Sequence, residues 1–299
     1  MSEAVIPYGY EEWYYGSFLE GLGFERHHWG FSAEVGDSQV AFMAHLDHYT
    51  RMPAPLNLRY FTAYGGKYVI NNGSETVLGA DDRAGLAILF YMYLNDTPGQ
   101  YYLFYGEEHG GKGAWEFLET LGDEPPFTLA VEFDRRGTQS LVTDQSGFNL
   151  CSRDLSMALL DAYDREDLHL QADLYGTFTD CAVFGFEDRL EIEAVNISAG
   201  FENEHTPREV QNLTYLDDLA EASINVNWDS LPRGKKRVYS DMHYPWDDLN
   251  DEEEYLLDYI DDALQNISMH DALDALSLLA SWDSETVFDA LDRIGCWST

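Results

Sequence analysis

Basic residues are scarce in this 299-residue chain: 17 Lys and Arg stand against 55 Asp and Glu, for a formal net charge of -38. Lysine occurs only at Lys67, Lys112, Lys235 and Lys236. Phosphate backbones and anionic membrane surfaces are held by clustered Lys and Arg, so neither nucleic acid nor a membrane is expected as a partner. A high-salt cytoplasm would select such a surface because salt screens its self-repulsion, and an acidic protein of an ordinary or viral host would carry it too. Cysteine is also sparse. Cys151, Cys181 and Cys296 are odd in number and show no CxxC spacing, which argues against both a disulfide framework and a cysteine zinc site. No run of about 18 apolar residues occurs, and the start MSEAVIPYGYEEWYYG has neither a basic segment nor an apolar one. The expectation is a soluble, cytoplasmic protein.

Apolar residues make up 45% of the chain, enough for one full core with a small appendage. Helical spacing with a glycine stop marks residues 10–23. Strands are expected in 28–47 around a Gly-Asp turn, and a hairpin with Gly-Gly and Asn-Gly turns in 58–73. Helix, strand, helix and strand then follow at 82–95, 100–106, 111–122 and 127–134. Next come a helix near 153–163, HLQAD at 169–173, a short helix after Thr179, a strand at 192–200 and a helix at 213–228. Such alternation predicts an α/β fold: a mixed, mostly parallel sheet flanked by helices. Near residue 230 the texture turns polar and charged. The expected division is therefore a main α/β domain, 1–230, and an acidic linker with a helical C-terminal extension, 231–299, with Ser268 and Asp283 as candidate helix caps.

Acidic pairs are common in so acidic a chain, and only context makes some informative. Four clusters sit at the carboxyl ends of apolar strands, where open α/β sheets build their sites. They are FMAHLDHY (His45, Asp47), YYLFYGEEHGG (Glu107, Glu108), LAVEFDRRG (Glu132, Asp134) and NISAGFENEHTPREV (His205, Glu209). VLGADDRAG adds Asp81 and Asp82 at a turn into a helix. Ionised acids at such a junction are costly to bury unless a cation lies beside them. Two His and three carboxylates can hold a pair of zinc ions if one acid bridges them, and Asp81 is the candidate bridge. Glu132 and Asp134 share one face of their strand, so either could serve; Asp134 is preferred because it ends the apolar run.

In order and spacing, HLD, LGADDRAG, GEEHGGKGA, EFDRRG, GTFTD and NISAGFENEHTPRE resemble the co-catalytic di-zinc exopeptidases, the clan of the M28 aminopeptidases with the M20 and M42 peptidases. The likeness covers about residues 28 to 220. It implies that His45 and Asp134 hold one Zn2+, that Glu108 and His205 hold the other, and that Asp81 bridges them. It implies Glu107 as general base, Asp47 as the partner that orients His45, and Asp82 as a support of the turn. Arg83 departs from the Lys or Asn common there. Core elements are expected to fill the chain between Asp134 and His205, which leaves no place for a lid domain and favours the M28-like architecture. Tyr175 is the candidate oxyanion group, and Asp180 is either a helix cap or a pocket residue. Glu209 is expected to cap or brace the His205 loop rather than touch substrate.

The activity so implied is cleavage of an N-terminal residue from a peptide, with Co2+ or Mn2+ as alternative metals. Alternatives are a deacylase or carboxypeptidase acting on N-acyl amino acids, and an aminoacyltransferase of the glutaminyl-cyclase kind with one zinc.

Overall fold

The computed structural model describes residues 4–73, 75–122, 124–187 and 190–234. The three helices expected beyond residue 250, their caps, and Cys296 lie outside the described residues.

Apolar strands order the fold. Val40–His45 is buried at all six positions, because its neighbours on both sides are strands and both of its faces carry helices. Along it Val40, Phe42 and Ala44 enter one core, while Ala41 and Met43 enter the other. The same two-residue period sends Tyr101 and Leu103 to the first core and Tyr102 and Phe104 to the second. Helices Ala80–Leu94 and Leu213–Asn225 contribute to the first layer, and Lys112–Thr120 and Asp180–Phe186 to the second. At about 1.5–3 kcal/mol for each large apolar side chain fully buried, these two layers dominate the stability.

Among the described residues the main sheet has eight strands in the order Gln171–Asp173, Ser140–Val142, Glu193–Ser198, Leu129–Arg135, Val40–His45, Gly99–Phe104, Gly30–Val35 and Glu25–His27. The four central strands, from Glu193–Ser198 to Gly99–Phe104, run parallel. Antiparallel pairing enters toward both edges. The expected mixed, mostly parallel sheet flanked by helices is therefore observed. After Val40–His45 the chain adds its next central strand on one side, Gly99–Phe104, and the following one on the other, Leu129–Arg135. That reversal opens a crevice at the carboxyl ends of these strands.

A second, four-stranded antiparallel sheet, ordered Phe201–Glu202, Val210–Asn212, Gly66–Asn71 and Leu58–Ala63, borders this crevice. It brings the loop carrying His205 beside the chain that leads into Asp81. The expected hairpin is here, but its turn falls on Tyr64-Gly65, both at positive φ as a two-residue hairpin turn requires. The strands around the Gly-Asp turn, Gly30–Val35 and Val40–His45, do not pair with each other; Gly99–Phe104 lies between them. Between Asp134 and His205 the described chain is taken up by strands and helices of this body. No helix of the described residues is long and apolar enough to cross a membrane.

Candidate metal centre

Each expected ligand sits where a strand stops or a turn begins. His45 ends Val40–His45 and is 1% exposed, and Asp134 stands near the end of Leu129–Arg135. Glu107 and Glu108 form a single helical turn directly after Gly99–Phe104, led in by Gly106 at φ 70°. Asp81 and Asp82 open helix Ala80–Leu94 with non-helical torsions, and the peptide bond between them is cis. Gly79, just before them, adopts φ 69°; a Cβ there would strike the His48 ring and the Arg83 guanidinium, so no other residue fits. His205 lies in the hairpin loop of the small sheet at φ 58°.

The side chains converge. Asp81 Oδ1 is 2.9 Å from His45 Nε2, and Asp81 Oδ2 is 3.1 Å from His205 Nε2. His205 Nε2 is 3.0 Å from Glu108 Oε1, and His45 Nε2 is 3.8 Å from Asp134 Oδ1. Glu107 Oε2 stands 4.0 Å from His45 Nε2. Ligand atoms about 2.0–2.1 Å from a tetrahedral zinc are separated by about 3.3 Å from one another, so these spacings suit two adjoining ions with Asp81 between them. Donor atoms of His45, Asp81 and Glu108 lie within 4.8 Å of one another, and so do those of His45, Asp82 and Asp134. Buried Asp134 Oδ1 and Asp82 Oδ2 have no hydrogen-bond donor from the protein. Buried carboxylate oxygens without donors, facing imidazoles, fit divalent cations.

Around this set lies a supporting layer. His45 Nδ1 donates to the main-chain carbonyl of Asp47 at 3.0 Å, while the Asp47 carboxylate is 3.5 Å away. The carbonyl is thus the closer orienting group for the ring. The Asp47 carboxylate instead accepts the amide N–H of Glu107 at 3.1 Å and pins that turn. Asp134 Oδ2 accepts from Thr179 Oγ1 at 2.8 Å. Asn196 fixes the Asp134 backbone from the adjacent strand, accepting its N–H and donating to its carbonyl. Glu132, 0% exposed, accepts the amide of Cys181, which leaves Asp134 as the acid nearer His45. Asp82 is fully buried and accepts from Gly85 N–H, the turn support expected of it. Glu209 accepts three amides of the Asp81 turn.

Thr179 and Asn196 were not singled out by sequence reasoning, since each matters through a partner some 45–62 positions away. For Thr179 the available signal was its place just before a helix in GTFTD. Asp180 is the first residue of helix Asp180–Phe186 and not its cap; it is fully buried, with neither carboxylate oxygen hydrogen-bonded. Tyr175 is 85% exposed, its carbonyl held by Arg135.

So many acids in a buried space interact. Burial opposes ionisation of Asp81, but hydrogen bonds from His205 and His45 outweigh it and hold its carboxyl well below the usual range. Burial pushes Glu107 well above the carboxylate range, reinforced by the charges of Asp134, Asp180 and Glu108 and opposed by His45. Burial and the Asp81 charge push Asp134 well up as well. Burial disfavours the charged form of His205, yet hydrogen bonds to Asp81 and Glu108 raise it to about 11. His45 is likewise raised against its burial, by Asp134, Asp47 and Asp81. Protons on these groups occupy the place that cations would take, so metal uptake must displace them.

No protein-family model matches the sequence, and no curated protein does. Solved structures match in fold. Aminopeptidase PepT of Bacillus cereus superposes with TM-score 0.56 at 14% identity, over 74% of this chain and 93% of its own. A tripeptidase of Staphylococcus aureus gives TM-score 0.56 at 14% identity, over 75% and 94%. The TET1 peptidase of Pyrococcus horikoshii gives 0.55 at 15%, over 74% and 94%. At such identities the likeness is one of fold: the chain has the α/β sheet architecture of these peptidases.

Proposed function

We propose that this chain is a metal-dependent hydrolase, a lidless two-zinc aminopeptidase of the co-catalytic exopeptidase clan with an M28-like plan, acting on the free N-terminus of a peptide. The observation that carries the reading is the division of Asp81: one carboxylate oxygen faces His45 and the other faces His205. In this reading His45 and Asp134 hold one cation, Glu108 and His205 hold the other, and Asp81 is shared. A pair of divalent cations supplies Lewis-acid chemistry, polarising an amide carbonyl and making water acidic enough to react near neutral pH.

The rest falls to the chain's own residues. Glu107 lies beside His45, and burial holds its carboxyl well above the usual carboxylate range, so in this reading its carboxylate takes the proton of the attacking water and returns it to the leaving amine. Asp47 fixes Glu107 through its amide and His45 through its carbonyl, which keeps base and ligand in one register. Thr179 and Asn196 do the same for Asp134.

The test combines metal analysis of the purified protein with a panel of aminoacyl chromogenic substrates, free and N-acylated. Glu107→Gln should lower kcat by roughly 10²–10⁴-fold with both metals retained. Retention of most activity would remove Glu107 from the role of base, and preference for the N-acylated substrates would move the reading to a deacylase.

A further inference from the structure

Gly79, Ala80 and Asp81 form the turn that leads into helix Ala80–Leu94, set off from it by the non-helical torsions of Asp81 and Asp82, and Gly79 offers no capping side chain. The amides of this turn need acceptors, since buried N–H groups without partners are costly. They find them 130 residues downstream. Glu209 Oε2 accepts from Gly79 N–H at 2.7 Å, and Oε1 accepts from Ala80 and Asp81 N–H at 2.7 and 3.0 Å. The Glu209 side chain is thereby a remote cap for this turn, gathering three amides on one carboxyl group. It is 1% exposed, so no solvent shares these bonds.

Glu209 follows His205 by four positions in a loop braced by its own bonds: Thr206 Oγ1 to the Asn203 carbonyl, Arg208 N–H to Thr206 Oγ1, and Glu209 N–H to the Thr206 carbonyl. One residue therefore joins two segments that are distant in sequence. On one side it holds the backbone of Asp81; on the other it anchors the loop that presents His205. The distance between Asp81 Oδ2 and His205 Nε2, 3.1 Å, depends on both. Tyr49, whose ring stacks on His205 at 4.5 Å between centroids, is a second and weaker restraint on that loop.

We propose that Glu209 is a positioning residue that locks the Asp81 turn to the His205 loop and so sets the affinity of the position formed by Asp81, Glu108 and His205. The inference rests on the two-metal reading above and names the residue through which that site is assembled. Glu209→Gln has nearly the same volume but turns an NH2 donor toward amide donors, so the lock opens without leaving a cavity.

The experiment titrates chelator-stripped full-length protein with Zn2+ against a competing chromophoric chelator, for wild type, Glu209→Gln, His205→Ala and the double variant, with circular dichroism as the check on folding. Wild type is expected to bind two ions. In Glu209→Gln the site that His205→Ala also weakens should lose affinity by roughly 10–100-fold, the range seen when groups behind a ligand are removed, while the other site changes less. In the double variant the loss should not exceed that of His205→Ala alone, because both changes act through one loop. Equal losses at both sites that add in the double variant would make Glu209 a general stabiliser and overturn the proposal, as would wild-type affinities in Glu209→Gln. Should Glu209→Gln not fold, Glu209→Asp, which keeps the charge at shorter reach, carries the same comparison. A wild type that binds no Zn2+ would defeat the two-metal reading itself, a result distinct from any of these.

Discussion

Glu11 opens the first helix, Glu11–Leu22, yet its side chain is buried: one oxygen accepts the Gly9 amide and the other has no donor. Burial, with the nearby charge of Asp47, pushes its carboxyl up to about 7. The folded pKa lies above the unfolded value near 4.5, so the folded state binds this proton more tightly than the unfolded chain does. The stability it confers is full below the unfolded value and is lost as pH rises through about 7. Glu11→Gln keeps an acceptor for Gly9 and cannot ionise. In chelator-treated protein its unfolding free energy, read from the denaturant midpoint, should gain on that of wild type between pH 5 and 8, by up to ~3 kcal/mol. A constant difference across that range would mean that Glu11 is solvated in solution. No property of YEEWYYG announced a buried acid, because its burial beside Asp47 is set by the fold and not by the local sequence. The candidate ligands and base were legible for the opposite reason: His45 and Asp134 stand at the ends of apolar strands and Glu107 and Glu108 just after one, so sequence order alone puts them at a sheet edge.

At the level of elements, local period told strand from helix, and it told little about neighbours. Gly30–Val35 and Val40–His45 are adjacent in sequence, but a strand formed some 55 residues later lies between them. Pairing of that kind is decided by the whole sheet and not by the turn. The supports of the site are hidden in the same way. Asn196 bonds the Asp134 backbone across parallel strands whose register shifts between Asn196 and Ser198, and only the register makes it a neighbour. Asn196→Leu keeps the branched skeleton of the side chain, with a larger volume, and removes both bonds, leaving the part-buried N–H and C=O of Asp134 without them. The unfolding free energy should fall by about 1–3 kcal/mol, read from the denaturant midpoint. A change within about 0.5 kcal/mol would show that water replaces Asn196. The loss should be accompanied by weaker metal uptake where Asp134 contributes, since its carboxylate then rests on Thr179 Oγ1 alone among the donors described.

The whole molecule carries a charge of -38, and composition alone foretold its electrostatics while saying nothing of which surfaces meet. Few cations offset the acids locally. Arg26 reaches Glu12 and Glu20, and Arg136 reaches Glu204, but these pairs are largely exposed and contribute little each. Arg135 with Asp173 is the more buried exception. Self-repulsion among the remaining acids opposes the compact state, and it acts over a Debye length of about 10 Å at 0.1 M salt against about 3 Å at 1 M. Raising KCl between those concentrations should therefore raise the thermal midpoint of the chelator-treated protein, and uncharged sucrose at matched osmolality should not account for the whole gain. If the proposed aminopeptidase reading holds, the same field would draw in a protonated peptide N-terminus, so kcat/KM for a cationic aminoacyl substrate should fall over the range in which the midpoint climbs. Opposite signs in the two measurements are the mark of one long-range potential acting on fold and encounter alike. A midpoint indifferent to KCl would mean that the acids are already neutralised by bound counterions, and the steering of substrate would then disappear with it.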